Sequence, residues 1–313
     1  MSNIKTNYHW IAGFVLILLL GACATPQQTV QLIESPPNIP TSAELTSTPF
    51  YPQRDYQCGP AALATVINFH RPQTSSEELI PLVYIPELKG SLQIEMLAAT
   101  RNFERLAIRQ DGKLLSILRE VANGNPVLVM QNLGFDAYPY WHYAVVIGYD
   151  LDKQQIILRS GEVKRLIRPF TIFETTWQRS NYWSVVVVPP GVMPLTASES
   201  TYSIAAVEFE TSSSAQLSIL SYQSGIERWP NNYILQMGLG NISYTLKKFT
   251  QAEIAFTKAT EINPSRAEAW NNLAYSLISQ GKKKQALNAV NKALNIEPES
   301  LQYKDSLLEI TSL

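Results

Sequence analysis

The stretch PQRDYQCGPAALATVINFH, residues 52–70, decides how the first half of the chain is interpreted. At Cys58 its composition changes from polar and extended to a run of alanines and branched apolar residues. Pro60 suits the first turn of a helix, because the N–H that proline lacks has no intrahelical partner there. We therefore predict a helix that starts beside Cys58, with the thiol at the positive end of the helix dipole.

Two explanations compete for this cysteine. A free cysteine is most often a small buried apolar side chain. A thiol at a helix N-terminus beside an imidazolium has a lowered pKa and acts as a nucleophile. His70 stands about 18 Å along the helix from Cys58 and cannot be that partner. His142, which opens the strand-like run HYAVVIGYD, is the remaining candidate for a base, with a satisfied core histidine as the alternative.

The segment 1–23 has the pattern of a bacterial lipoprotein signal peptide. Lys5 precedes an apolar run from Trp10 to Leu20, and the sequence LGAC ends at Cys23. The run is too short to cross a bilayer comfortably, and small residues at its exit are typical of a cleaved signal. The segment resembles a lipobox, which predicts lipidation of Cys23. An ordinary secretory signal with an incidental cysteine is the alternative.

The residue after the lipobox indicates a destination. Ala24 stands there instead of aspartate, which by the bacterial sorting rule favours the outer membrane of a Gram-negative host. We expect a lipid-anchored protein of the bacterial cell envelope that faces the periplasm. Cys58 would then be the only thiol left in an oxidising compartment, with no partner for a disulfide. Such a thiol is a liability unless it has a use.

Composition divides the rest of the chain into four segments. Residues 24–48 are rich in Thr, Ser, Pro and Gln and are predicted to form a flexible tether. Residues 49–190 contain helical patches followed by apolar strand-like runs, which is typical of an α+β domain. Residues 191–199 are interpreted as a linker, and residues 200–313 as an all-α domain.

The helical segment repeats itself at a fixed interval. Pro230, Pro264 and Pro298 are evenly spaced along it. Small residues keep the same spacing in three pairs, Gly240 and Ala274, Ala252 and Ala286, and Ala259 and Ala293. A period of about 34 residues, with small residues at fixed positions and a closing proline, is the signature of tetratricopeptide repeats (TPRs). We predict about three repeats that pack against the preceding domain and bind a protein partner.

Composition disfavours several classes of function. The net charge is −1 and Lys and Arg form no long run, which argues against nucleic acid as a partner. Two cysteines and three histidines, all widely separated, cannot build a conventional structural zinc site. We expect no metal and no cofactor.

Residues 49–190 resemble the papain-like cysteine peptidases that remove double-glycine leader peptides from bacteriocins. The resemblance rests on Gln53, on Cys58 followed by Gly-Pro-Ala, and on His142 followed by YAVVIGY. With its lipobox and TPRs the chain is most similar to the stand-alone lipoprotein branch of that family. The resemblance implies a papain-like fold. It also implies that Cys58 is the nucleophile, His142 the base, and Gln53 an oxyanion donor together with the Cys58 N–H.

The sequence departs from the family pattern at two places. Gln53 stands five positions before Cys58, one fewer than expected, which leaves Gln57 as a weaker alternative donor. The family places an aspartate at the end of the strand after the histidine, where this chain has Ser160. Asp150 is predicted to lie in a turn and to point away. Ser160 is therefore the candidate third member of the site.

Three functions remain open at this point. The first is a lipid-anchored cysteine peptidase that cleaves a peptide or leader segment through Cys58 and His142, with the TPRs holding the substrate or a partner. The second is a catalytically weakened, peptidase-like adaptor of the periplasm. The third is acyl transfer to an amine by the same cysteine. The aromatic run YPYWHY, residues 138–143, is a candidate lining for a substrate cleft or a part of the core.

Overall fold

The computed structural model describes residues 26–53 and 56–312. The signal peptide and lipobox predicted for residues 1–23 lie outside the described residues. Across the described ranges, no helix combines the length and apolar character needed to cross a membrane.

The first domain mixes helices and strands. Its helices are α1 (Gln27–Glu34), α2 (Cys58–Ile67), α3 (Ser76–Val83), α4 (Gln93–Arg101), α5 (Leu114–Ala122) and α6 (Phe170–Gln178). Its strands are β1 (Ser42–Glu44), β2 (Leu106–Arg109), β3 (Val127–Asn132), β4 (Trp141–Asp150), β5 (Gln155–Ser160), β6 (Val163–Pro169) and β7 (Ser184–Val188). The helix predicted at Cys58 is α2, and the predicted apolar runs form β3, β4, β5 and β7. The α+β fold class is confirmed.

The strands form one antiparallel sheet in the order β2-β7-β3-β4-β5-β6, and β1 pairs with the end of β4. Helices α2, α3 and α4 cover one face, and α1, α5 and α6 cover the other. Along β3, Leu128 and Met130 face the first set of helices, while Val127 and Val129 face the second. A strand buried on both sides carries apolar residues at consecutive positions, which explains the run SVVVV of β7.

The flexible tether predicted for residues 24–48 is wrong over its described part. The Glu174 carboxylate accepts hydrogen bonds from the Gln28 N–H at 2.9 Å and from the Thr29 N–H and hydroxyl at 2.6 Å each. Thr29 and Glu174 are fully buried, and β1 pairs with β4. The composition gives no hint of this because the carboxylate that fixes α1 lies 145 residues away in the chain.

The described residues after 198 form three helical hairpins and a terminal helix. The hairpins are α7 (Glu199–Glu210) with α8 (Ala215–Arg228), α9 (Tyr233–Thr245) with α10 (Phe249–Ile262), and α11 (Ala267–Ile278) with α12 (Lys283–Ile296). Helix α13 (Leu301–Ser312) follows. The repeated small residues lie where helices cross, and a larger side chain would not fit there. A Cβ on Gly240 would overlap the Phe256 ring, and Ala274 is fully buried at the equivalent position.

The helical domain packs against the sheet domain, as predicted. Helix α7 lies on β2, and its Tyr202, Ala206 and Phe209 belong to the same core as Leu106. The predicted linker is irregular in structure but is not loose. Its Thr196 donates through both its N–H and its hydroxyl to the buried carboxylate of Glu120. The two domains therefore share one continuous core.

Candidate active site

Cys58 is the first residue of α2, as the sequence predicts. Its side chain is 8% exposed and its thiol is free. The backbone N–H groups of Tyr143, Gly59 and Cys58 itself point at the sulfur. Two of these donors belong to the start of the helix, where N–H groups have no intrahelical partner. The sulfur therefore lies in a cradle of donors that would stabilise a thiolate.

In the free protein, burial affects the pKa of the Cys58 thiol more strongly than these N–H donors do. It raises the pKa of the Cys58 thiol above its ordinary value, although the three N–H groups oppose the shift. The expectation that the helix terminus and an imidazolium lower this pKa is therefore wrong here. The sequence could reveal the helix terminus, but not how closely Tyr143 and the neighbouring strand cover the sulfur.

His142 lies near the start of β4 and is 5% exposed. Its Nε2 shares a hydrogen bond with Ser160 Oγ, 2.8 Å away. Burial lowers the pKa of His142 to about 4, so the ring is neutral at neutral pH. The neutral ring has one nitrogen that accepts a proton and one that carries it. The ring is thus in the neutral form that a base needs, and the same burial makes it a weaker proton acceptor than an exposed histidine.

Ser160 ends β5, the strand paired with β4. It occupies the position at which the sequence places the third member of the site, and it contacts the ring as that placement requires. Asp150 is turned away, since its carboxylate pairs with Lys153 Nζ at 2.6 Å on the surface. The ring is therefore oriented by a hydroxyl and not by a carboxylate.

No hydrogen bond joins Cys58 Sγ to the His142 ring among the residues that the structure describes. Because Nε2 is engaged by Ser160, Nδ1 is the nitrogen left for the thiol. Contacts of this kind are often long in unliganded enzymes and tighten when substrate binds. The structure thus brings the two residues to one site without closing the pair.

Gln53 lines the same site from the segment that precedes α2. Its N–H donates to the Gly161 carbonyl at 3.2 Å, next to Ser160. Gln57 is the residue before the first turn of α2, and its side chain makes no capping bond. It does not line the cleft, so Gln53 is the better placed of the two candidate donors.

A cleft of about 710 Å³ opens over Cys58 and His142. One wall carries Leu88, Leu92 and Ile94, and the other carries Tyr140 and Trp141. All five side chains are exposed, between 45% and 69%. Residues 139–143 of the aromatic run therefore line the cleft, with Tyr140 and Trp141 exposed and the last two residues, His142 and Tyr143, buried. Exposed apolar surface around a concave site is typical of a binding cleft.

Two features of the site have no equivalent in the sequence-based prediction. Tyr143 donates from its hydroxyl to the Ser91 carbonyl at 3.1 Å and so ties β4 to the loop that forms one wall. Gly59 has a packing role, because a Cβ there would overlap the Ser91 side chain. Ser91 and Gly59 are far apart in the chain, and no local pattern connects them.

The described residues contain no group of three or more His, Cys, Asp or Glu side chains suited to a metal ion. The chemistry available at the cleft is that of a thiol, an imidazole, an amide and a hydroxyl. Together they suit acyl chemistry at a cysteine.

Comparison with protein families agrees with this geometry. Residues 45–185 match the Peptidase_C39 like family, and residues 235–266 and 267–300 each match a tetratricopeptide repeat. A region similar to the Peptidase_C39 like family is thus followed by two regions similar to tetratricopeptide repeats. The two matched repeats are the hairpins α9–α10 and α11–α12, while the degenerate first hairpin α7–α8 lies outside both matches.

Individual proteins similar to part of the chain were also found. A peroxisomal targeting signal receptor of Kluyveromyces lactis is 32% identical over 73 residues, 23% of this chain and 13% of the receptor. The receptor of Candida albicans is 33% identical over 73 residues, 23% of this chain and 12% of the receptor. The chain thus spans about an eighth of the length of these relatives.

Two solved structures with partial similarity were also found. The first TPR of Spaghetti (RPAP3), bound to an HSP90 peptide, has 20% identity and a TM-score of 0.35, covering 36% of this chain and 90% of that one. The crystal structure of MamA has 18% identity and a TM-score of 0.35, covering 36% of this chain and 67% of that one.

Proposed function

We propose that the protein is a cysteine peptidase that cleaves a peptide or leader segment, with its TPRs holding the substrate or a protein partner. The observation that carries the proposal is the convergence of Cys58, His142 and Gln53 on one apolar cleft, with His142 Nε2 held by Ser160. A thiol, a base and an oriented third group are the arrangement that covalent catalysis by cysteine needs.

The reaction begins at the thiol. Cys58 Sγ attacks the carbonyl carbon of the scissile peptide bond, and the thiol proton passes to His142 Nδ1. The carbonyl oxygen becomes an oxyanion, which accepts hydrogen bonds from the Gln53 amide and the Cys58 N–H. The C–N bond then breaks, and the leaving amine takes the proton from His142. Water attacks the remaining thioester with His142 as base, which releases the acid and restores the thiol.

The free site starts from a neutral thiol and a neutral imidazole. Burial favours this neutral pair, since it raises the pKa of Cys58 and lowers that of His142. Proton transfer therefore accompanies attack instead of preceding it. The N–H groups around the sulfur stabilise the charge that develops during attack. The hydroxyl of Ser160 fixes the ring through Nε2 and leaves Nδ1 for the thiol.

The walls of the cleft favour an apolar substrate segment. Leu88, Leu92, Ile94, Tyr140 and Trp141 are exposed in the free protein and would be covered by substrate. Covering apolar surface contributes about 25 cal/mol per Å². Lys89 is the one charged residue among the described residues that line the cleft. Peptides with apolar side chains near the scissile bond are the expected substrates.

The repeats offer a second surface. A cavity of about 430 Å³ lies between α9 and α11, lined by Asn241, Tyr244, Thr245, Phe256, Asn272 and Tyr275. Both matched repeats contribute to this lining. Asparagine side chains can pair with a peptide backbone through both their oxygen and their nitrogen. We propose that this surface holds the substrate or a partner protein.

The proposed location is the bacterial cell envelope. Lipid on Cys23 would attach the protein to the membrane, and Ala24 favours the outer membrane over the inner one. The proposal rests on the lipobox pattern LGAC and on the apolar run that precedes it.

A peptidase-like adaptor is the second candidate function. Two observations favour it: a hydroxyl stands in place of a carboxylate beside His142, and the described residues show no hydrogen bond between the thiol and the ring. An adaptor would keep the cleft and the repeats as binding surfaces and would not need the thiol.

The deciding experiment is cleavage of a peptide library by the full chain, read by mass spectrometry in water enriched in ¹⁸O. A peptidase puts ¹⁸O into the new carboxyl group, and the Cys58→Ser variant gives no products. With an added primary amine, an acyltransferase forms the amide of that amine instead. No product with either acceptor, together with equal peptide binding by wild type and Cys58→Ser, would make the protein an adaptor.

A further inference from the structure

Arg159 is a buried cation that the proposed mechanism does not use. It stands next to Ser160 in β5 and is 5% exposed. Its guanidinium bonds to backbone carbonyls: Nε and Nη2 donate to Thr48 O at 3.2 and 2.9 Å, and Nη2 also donates to Thr46 O at 3.2 Å. The remaining nitrogen donates to Lys164 O in β6. One side chain thus joins two strands to the segment that leads to the cleft.

That segment, residues 46–53, is attached to β5 on both sides of Ser160. Arg159 holds its start through the Thr46 and Thr48 carbonyls. The Gln53 N–H holds its end by donating to Gly161 O at 3.2 Å. Gln53, Arg159 and Gly161 also line a void of about 10 Å³ that borders Cys58. The void is at the lower limit for a single water, so the contacts here are tight.

The two ends of the attachment carry the two helper groups of the site. Gln53 provides the proposed oxyanion donor, and Ser160 holds the His142 ring at 2.8 Å. If the guanidinium were removed, the two carbonyls would lose their donors inside the protein, and leaving buried acceptors unpaired is costly. The segment would have to shift to reach water, and Gln53 would shift with it.

We propose that Arg159 is a positioning residue that holds the Gln53 amide at the oxyanion position by clamping the 46–53 segment to β5. The inference rests on the proposed function, since it assigns Gln53 to the oxyanion. It predicts that Arg159 acts through Gln53 and not through the thiol or the imidazole. The guanidinium hydrogen-bonds to neither group in the described structure, since its donors go to the Thr46, Thr48 and Lys164 carbonyls.

An apolar peptidyl aldehyde, acetyl-Leu-Leu-norleucinal, distinguishes an effect of Arg159 through Gln53 from an effect through the thiol or the imidazole. Cys58 Sγ adds to the aldehyde carbon and the thiol proton ends on the oxygen, so that the adduct places an oxygen where the oxyanion would lie. Its Kd for the full chain is measured by calorimetry, and the adduct is assigned to Cys58 by mass spectrometry. Iodoacetamide alkylation of Cys58 as a function of pH is the second readout, because it involves no oxyanion.

Arg159→Gln should weaken aldehyde binding about tenfold, and Arg159→Lys about threefold, as expected for a displaced oxyanion donor. The pH profile of alkylation should not move. In a Gln53→Ala background, Arg159→Gln should add less than a twofold loss, because neighbours that act together are not additive. Arg165→Gln is the matched control. It removes the exposed pair with Glu44, upstream of the segment, and should change the Kd less than twofold.

Three outcomes would overturn the inference. They are unchanged aldehyde binding in both Arg159 variants, an equal loss with and without Gln53, and a shifted alkylation profile. If Arg159→Gln does not fold, the loss of aldehyde affinity caused by Arg159→Lys is compared with and without Gln53→Ala in the same way, and a smaller loss is expected. A wild-type protein that forms no adduct at Cys58 would instead refute the proposed function. The two failures are therefore distinguishable.

Discussion

The two domains solve the problem of packing in opposite ways. In the repeats, each contact recurs one period later: Gly240 fits under Phe256, and Ala274 occupies the equivalent place in the next hairpin. In the cleft nothing recurs. Cys58, Ser91 and His142 come from three distant segments and are each used once. A periodic domain therefore spreads its stability over equivalent contacts, whereas the cleft depends on single residues without substitutes.

The largest expected effect tests this dependence on single residues. His142→Gln should lower kcat for peptide cleavage by about 10³-fold or more, because the proton has no other base in the cleft. Asn272→Ala, in the cavity of the repeats, should leave kcat unchanged and raise KM only for substrates that contact both domains. Steady-state kinetics of both variants check the contrast. Equal losses in kcat would mean that the domains act as one catalytic unit.

The same histidine should make stability depend on pH. Its pKa of about 4 in the folded protein is below its ordinary value of 6.5, so the unfolded chain binds the proton first as pH falls. The free energy of unfolding should therefore drop by up to about 3 kcal/mol between pH 6.5 and pH 4, and should be level above pH 6.5. Urea unfolding across this range measures the drop.

His142→Gln should remove this part of the acid loss. His70→Gln is the matched control. Partial burial and the nearby Arg105 also lower the pKa of His70, but this side chain keeps much of its contact with solvent, so its removal should change the acid loss less than His142→Gln does. The repeats contain no histidine. Any difference between wild type and His142→Gln in the loss of unfolding free energy at low pH therefore comes from the cleft. An unchanged slope in His142→Gln would show that the ring is not buried in a neutral form.

Two glycine substitutions compare packing in the two domains directly. Gly59→Ala and Gly240→Ala should each lower the free energy of unfolding by about 1–3 kcal/mol, because an added Cβ overlaps Ser91 in one case and Phe256 in the other. Ser91→Gly should rescue Gly59→Ala. Ser91→Ala should not, because its Cβ remains in the way. Full stability of Gly59→Ala alone would contradict the packing described for the cleft.

The smallest effect is expected at the rim of the cleft. Trp141→Ala should raise KM for apolar peptides about three- to tenfold, since it removes exposed apolar surface that substrate would cover. Stability should change by no more than about 0.5 kcal/mol, as is usual for exposed positions. Leu301→Ala on α13, which removes an exposed apolar side chain far from the cleft lining, is the control and should change neither quantity. A KM that stays constant for Trp141→Ala would place substrate elsewhere.

The parts of the fold that the sequence predicts are those with local causes. Pro60 and the alanines place the start of α2, runs of valine and isoleucine place β3, β4 and β7, and the regular spacing of small residues and prolines places the hairpins. Helix α1 escapes prediction because it is fixed by Glu174, far away in the chain. Strand β6 escapes it because it is an edge strand with Lys and Arg side chains, which guard an edge but hide the apolar alternation.

In the candidate site, too, features with a local sequence signal can be predicted, and features that depend on distant residues cannot. Motif and order indicate Cys58, His142 and Ser160 as candidates, and Ser160 Oγ lies 2.8 Å from His142 Nε2 in the structure. The direction of the thiol pKa shift cannot be predicted from the sequence, because it depends on how deeply the folded chain buries Cys58. The contribution of Arg159 cannot be predicted from the sequence either. Its partners are backbone carbonyls, which every residue has, so no sequence pattern marks them.

The anchoring of α1 also sets how far the protein could reach. Only the short link 24–26 separates Cys23 from the first residue of the helix. With lipid on Cys23, as proposed, such a link spans at most about 10 Å, whereas a flexible tether over the whole of 24–48 would wander over about 30 Å. With so short a link, the protein would not search a wide volume for the proposed substrates. It would work pressed to the lipid surface, on peptides delivered along that surface or by the arm of repeats.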